Sequence, residues 1–208
     1  MKYQLASSGT KTGPKGFETG NFEKHSLKLS FAYAPGDADG YYNSEDEDSP
    51  LSRLNRNGDV QGFAFHREFR PALIMFNSRT QLQDKYIDGV FDPERILNAF
   101  MIGLGYEYES LEAGKFSATF FNAEMLEGIP NDVKTFYEDN PDLARPIGFY
   151  GSSFGTELDL RWQMYVNRHT RIGLDLAAIL PGSAWRSGPE SNSVVNNYLL
   201  GGSIGYEF

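Results

Sequence analysis

Residues Thr156–Leu180 read TELDLRWQMYVNRHTRIGLDLAAIL. In the first half, Leu158, Leu160, Trp162, Met164 and Val166 alternate with Glu157, Asp159, Arg161, Gln163 and Tyr165. A pleated strand sends successive side chains to opposite faces, so this segment predicts a strand with one apolar and one polar face. Asn167-Arg168-His169 follows as a turn. Ile172, Leu174, Leu176, Ala178 and Leu180 then alternate with Arg171, Gly173, Asp175, Ala177 and Ile179. Two such runs joined by about three residues form a β-hairpin. With that turn length Arg161 faces Asp175 and Tyr165 faces Arg171, cross-strand pairs worth about 0.2–1 kcal/mol each.

The same alternation recurs on both sides. Phe100, Ile102, Leu104, Tyr106 and Tyr108 alternate with Met101, Gly103, Gly105 and Glu107, turn near Ser110–Gly114, and return through Lys115–Met125. In that return strand Phe120 and Phe121 are adjacent, which leaves its apolar face open. Leu27, Leu29, Phe31 and Tyr33 alternate with Lys28, Ser30 and Ala32. The last residues, YLLGGSIGYEF, put Tyr198, Leu200, Gly202, Ile204, Tyr206 and Phe208 on one face. Residues 2–8 form a short further candidate. The pattern gives about six to seven spanning strands, against a smallest closed bacterial barrel of about eight.

Short turns alternate with long polar connections at 126–152 and 181–196. A soluble meander has no reason to sort its connections by end, whereas outer-membrane barrels have short periplasmic turns and long extracellular loops. Residues 62–76 are apolar, but Pro71 is unsuited to a central strand. A single extra span would also break the up-and-down parity between 27–34 and 100–108. The segment therefore belongs to a long loop region, 35–98, folded over or into the lumen, with an edge strand of a soluble fold as the alternative.

Composition narrows the classes. The chain has 208 residues, a formal net charge of -9 and no cysteine. Disulfides and thiolate metal sites are excluded, and the acidic balance argues against nucleic acid. No run reaches the roughly 18 apolar residues of a membrane-spanning helix, a test that barrel strands do not face. Met1-Lys2-Tyr3-Gln4-Leu5 opens no apolar leader segment, which points to a mature form, a fragment or a cytoplasmic protein.

The expected fold is all-β: a transmembrane antiparallel up-and-down β-barrel, or the C-terminal part of one, in which 1–208 is a single domain. The terminal Ile204, Tyr206 and Phe208 resemble the C-terminal strand signal of Gram-negative outer-membrane β-barrels. That resemblance implies an outer-membrane location and recognition by the barrel-assembly machinery. More narrowly, FAYAPGDADG, FRPALIMF, NAFMIGLGYEYESLEAGKFSATFFNAEM and GTELDLRWQMYVNRHTRIGLDLAAILPGSAW are similar to the C-terminal portion of alginate-export-type porins. This implies a channel for small or polymeric hydrophilic solutes. The family's lumen is basic and the one read here is not.

In the barrel reading Lys28, Glu107, Glu157, Asp159, Arg161, Gln163, Arg171, Asp175 and Glu207 line the lumen. The excess of acids there points to cations or neutral solutes. Tyr106, Tyr108, Tyr206 and Phe208 form one aromatic girdle, and Phe31, Tyr33, Phe154 and Tyr198 the other. Asp37, Asp39, Glu45, Asp46, Glu47 and Asp48 form a candidate Ca²⁺ cluster without EF-hand spacing, with a solvated loop as the default. No other cofactor is implied. Expected partners are outer-membrane lipid, lipopolysaccharide and a second polypeptide completing the barrel. Catalysis is not expected: His25, His66 and His169 fall in different segments, and no phosphate loop, HExxH or nucleophile elbow occurs. The alternatives are a structural barrel subunit in a multi-chain complex and a soluble ligand-binding β-barrel.

Overall fold

A computed structural model describes residues 1–9, 21–35, 72–75, 98–129, 131–142, 145, 148–186 and 196–206. Seven strands follow one another: β1 (Lys2–Gly9), β2 (Phe22–Ala34), β3 (Ala99–Ser110), β4 (Gly114–Met125), β5 (Ser153–Tyr165), β6 (Thr170–Pro181) and β7 (Asn197–Tyr206). Helix α1 (Asn131–Asp139) lies between β4 and β5, and a 3₁₀ turn, Ser183–Trp185, follows β6. Among the described residues no helix is long and apolar enough to cross a membrane.

The strands form one sheet in chain order, each antiparallel to the next. This is an all-β up-and-down meander. It is not closed: β1 and β7 are its two edges, and no described strand joins them. The expected barrel closure is therefore corrected to an open sheet. Tyr206 is the last described residue, so Glu207 and Phe208 fall outside.

Two hairpins have local causes. In the β5–β6 turn, Asn167 Oδ1 accepts hydrogen bonds from the backbone N–H of His169 and of Thr170, both at 2.9 Å. Such a side chain mimics a backbone turn and fixes register. Arg161 duly faces Asp175, and Tyr165 faces Arg171. At the β3–β4 turn, Ser110 Oγ accepts from Ala113 N–H at 3.0 Å, and Gly114 takes φ 76°. Trp162 Nε1 donates to the Ala113 carbonyl at 2.7 Å, tying that turn to β5. At the other end of β3, Asn98 sits at φ 46°, and its side-chain amide exchanges two 2.9 Å hydrogen bonds with the backbone of Glu127.

β1 leads to β2, β3 to β4 and β5 to β6 at one rim, the last two through the short connections 111–113 and 166–169. β2 leads to β3, β4 to β5 and β6 to β7 at the other, each across a connection of more than a dozen residues in sequence, 35–98, 126–152 and 182–196. β2 pairs directly with β3, so the chain between them inserts no strand into the ladder.

The pleat separates two faces. On the open face, register aligns Leu29, Leu104, Phe120, Leu158, Ala178 and Tyr198 in one row. The next row holds Tyr3, Leu27, Tyr106, Ala118, Leu160, Leu176 and Leu200. The opposite face is covered at the long-connection rim. There Ala32, Ala34, Ala99, Met101, Phe121, Ala123, Ala177 and Ile179 are buried with Ala72, Ile74 and Met75. The adjacent phenylalanines divide accordingly: Phe120 is 50% exposed and Phe121 2%.

The Phe121 ring lies across Gly103, its partner on β3. A Cβ at Gly103 would stand 2.5 Å from that ring, whereas one at Gly202 meets nothing within 4 Å. Gly103→Val should destabilise the sheet by about 1–3 kcal/mol, the range for overpacking. Gly202→Val should cost markedly less; chemical denaturation followed by tryptophan fluorescence compares the two.

Candidate functional site

The covered face changes character from rim to rim. Near the long connections its rows are small and apolar: Ala34, Ala99 and Met125, then Ala32, Met101 and Ala123. Alanine side chains leave room above the sheet, and residues 72–75 fill it, with Ala72, Ile74 and Met75 buried. The next row holds Ser30, Gly103, Phe121, Glu157 and Ile179.

Glu157 is 1% exposed. Its Oε1 accepts hydrogen bonds from Leu73 N–H at 2.8 Å and Ile74 N–H at 2.6 Å, and its Oε2 accepts from Met75 N–H at 2.5 Å. Leu73 N–H also reaches Asp159 Oδ2 at 3.0 Å. Burying a carboxylate costs several kcal/mol unless it is paired and hydrogen-bonded. Three converging backbone donors, at about 1.5–3 kcal/mol each for bonds to a charged group, offset that cost. Asp159 is also buried, with the Arg161 guanidinium 3.9 Å from its Oδ2.

Toward the short-turn rim the face becomes polar. One row holds Gln4, Ser26, Glu107, Ser117, Arg161 and Asp175, and the next holds Lys24, Glu109, Lys115, Gln163 and Gly173. Glu107 is held between Lys2 and Lys115, the latter at 3.0 Å. Lys28, Gln163 and Arg171 are exposed.

Several sequence expectations change here. Glu157 and Asp159 do not line open space; the backbone of 73–75 covers both. The charge balance changes with them. Outside that buried pair, the described part of the face carries Lys2, Lys24, Lys28, Lys115, Arg161 and Arg171 against Glu107, Glu109 and Asp175. Among the described residues outside that pair, bases therefore outnumber acids on this face. Glu207, the candidate Ca²⁺ cluster Asp37, Asp39, Glu45, Asp46, Glu47 and Asp48, and the remainder of 35–98 apart from Pro35, 72–75 and Asn98 lie outside the described residues. Among the described residues no group of three or more His, Asp or Glu side chains is arranged to hold a metal.

The aromatic expectations also divide. Phe31, Tyr33 and Tyr198 are exposed near the long-connection rim, and Tyr106 and Tyr206 near the other. Tyr108 is half-buried beside them, and Phe208 is not described. Two histidines join the second group. His25 Nδ1 lies 2.6 Å from Tyr106 Oη and its ring 5.0 Å from that of Tyr108, while His169 stacks on Tyr206 at 5.5 Å.

Phe154 does not belong to either exposed group. It is 1% exposed, packed in the covered core beside Trp185 at 5.5 Å between ring centroids. The cause is a bulge: Ala123 pairs with Gly155, but Glu124 pairs with Ser153, so Phe154 is the extra residue. Gly155, at φ 103°, supplies the backbone turn that breaks the alternation. Trp185 Nε1 donates to the Phe154 carbonyl at 2.7 Å and holds the bulge.

Phe154→Ala should cost about 3–5 kcal/mol, as for buried phenylalanines generally. Phe31→Ala, at a 70% exposed position, should cost far less; denaturation midpoints of the two variants decide. Comparisons with protein-family models, curated proteins and solved structures returned no match.

Proposed function

We propose that this sheet is the wall of an outer-membrane β-barrel that passes hydrophilic solutes, as in the porin-like barrels its sequence resembles. The observation that carries the reading is the open face. Its apolar rows cross all seven strands, about 29 Å at the usual inter-strand spacing of about 4.8 Å. Along β3 the apolar residues run from Phe100 to Tyr108, about 26 Å at strand rise, or about 20 Å across a bilayer at the usual tilt of roughly 35–45°. Outer-membrane barrels carry an apolar band about 25 Å tall. Monomers in water rarely expose a patch beyond a few hundred Å². Tyrosines near both ends of the band suit the interfacial belts of a bilayer.

The polar rows on the reverse face supply the solute path. Their excess of Lys and Arg favours anions over cations. The sorting of long connections to one rim supports an orientation with that rim outside the cell. Among the described residues no pair of reacting groups supports an enzymatic reading.

The open edges favour a second, compatible reading: a barrel subunit completed by further strands. Because neighbours alternate in direction, β1 and β7 run the same way. An antiparallel barrel containing this sheet needs an odd number of additional strands. A connection that leaves and returns to one rim adds only an even number, so at least one additional strand comes from outside the present connections.

The purified protein is expected to need detergent, shift on a gel after heating, and conduct in a planar bilayer with an anion-selective reversal potential. Replacing Arg161 and Lys115 by Glu should move that potential toward cation selectivity. A folded monomer stable in water would sink the membrane reading, and a stable particle without conductance would favour the structural subunit.

A further inference from the structure

The covered face presents a contradiction if it lines a water-filled channel. Barrel interiors of that kind are polar. Here the rows nearest the long connections are alanine, methionine and phenylalanine, and they are dry because residues 72–75 lie over them. Ile74 and Met75 pack among Ala32, Ala99, Met101 and Phe121 within one buried cluster. Apolar packing alone is non-directional and would let a short segment slide. The Glu157 carboxylate removes that freedom, since it receives three successive N–H groups through both oxygens.

We propose that residues 72–75 are a strap that narrows the solute path at the long-connection rim, and that Glu157 is the positioning residue that holds it. The inference rests on the channel reading for its consequence and on the hydrogen bonds for its geometry. A carboxylate at this position accepts from all three donors. A glutamine has one acceptor oxygen, and its amide N–H groups point donors at donors. Losing the anion therefore releases the strap, whereas the wall, whose ladders do not involve Glu157's side chain, stays in register.

The natural chain has no cysteine, so Ala72→Cys provides a single labelling site at a buried position of the strap. In the full chain in lipid vesicles, this cysteine should react slowly with a hydrophilic maleimide. Adding Glu157→Gln should speed labelling about tenfold or more, the scale set by losing one to two charged hydrogen bonds. Ile74→Asp, which expels the strap without altering a strand, should do the same and decides the matter if Glu157→Gln fails to fold. In a planar bilayer both variants should raise single-channel conductance. Faster labelling with no conductance in parent or variants would leave the strap standing and overturn the channel reading. Rapid labelling in the parent, or labelling unmoved by the folded variants, would overturn the strap.

Discussion

The two-residue period of the pleated strand is the constraint on which everything else depends. From β2 to β3, and from β5 to β6, residues pair one to one with no slip. Apolar side chains such as Leu29, Leu104, Phe120 and Leu158 therefore meet one another across the open face, while on the reverse face Arg161 meets Asp175 and Glu109 meets Lys115. A one-residue shift in a single pair would exchange the faces of every strand beyond it. The turn chemistry of Asn167 and Ser110 acts against that shift at one rim. The Asn98–Glu127 bridge acts at the other.

Where the period is broken, it is broken once on β5 and with effect. The bulge at Phe154 takes an aromatic ring from the face that its parity assigns and places it in the core. The 3₁₀ turn Ser183–Trp185 then packs against the same strand. The row below holds Glu157, so the bulge and the buried carboxylate lie next to one another along the chain. A dry carboxylate contributes little net stability once its desolvation is counted, because its cost and its hydrogen bonds are of similar size. Its contribution is positional: three N–H vectors fix where the segment 72–75 rests.

Much of this was legible in the sequence. The hairpin 156–180, its turn and the Arg161–Asp175 register follow from alternation and loop length alone. So does the sorting of long connections to one rim. β1 was marginal because Lys2–Gly9 mixes polar and apolar residues without a clean period, and the structure leaves all of it exposed. Phe154 was misread because a bulge is one residue, and alternation carries no mark of it beyond Gly155. Glu157 was assigned to the correct face but the wrong environment. Its partners are main-chain groups over 80 residues away in sequence, and backbone donors carry no side-chain signature. The only signal was the apolar Leu73-Ile74-Met75 after Pro71, too short for a span yet too apolar for an exposed loop.

The rim asymmetry also orders the assembly of the sheet in time. Closing the connections 111–113 and 166–169 confines few residues, so β3–β4 and β5–β6 form as local hairpins. Pairing β2 with β3 must first bring together the ends of the connection 35–98. Loop-closure entropy that grows as (3/2)RT ln n makes this about 2–3 kcal/mol dearer than the short turns. Contacts of such high sequence separation form late. The natural nucleus is thus the C-terminal half of the chain, with β1–β2 added as the final step, after which the apolar end of the covered face and its strap can be buried together.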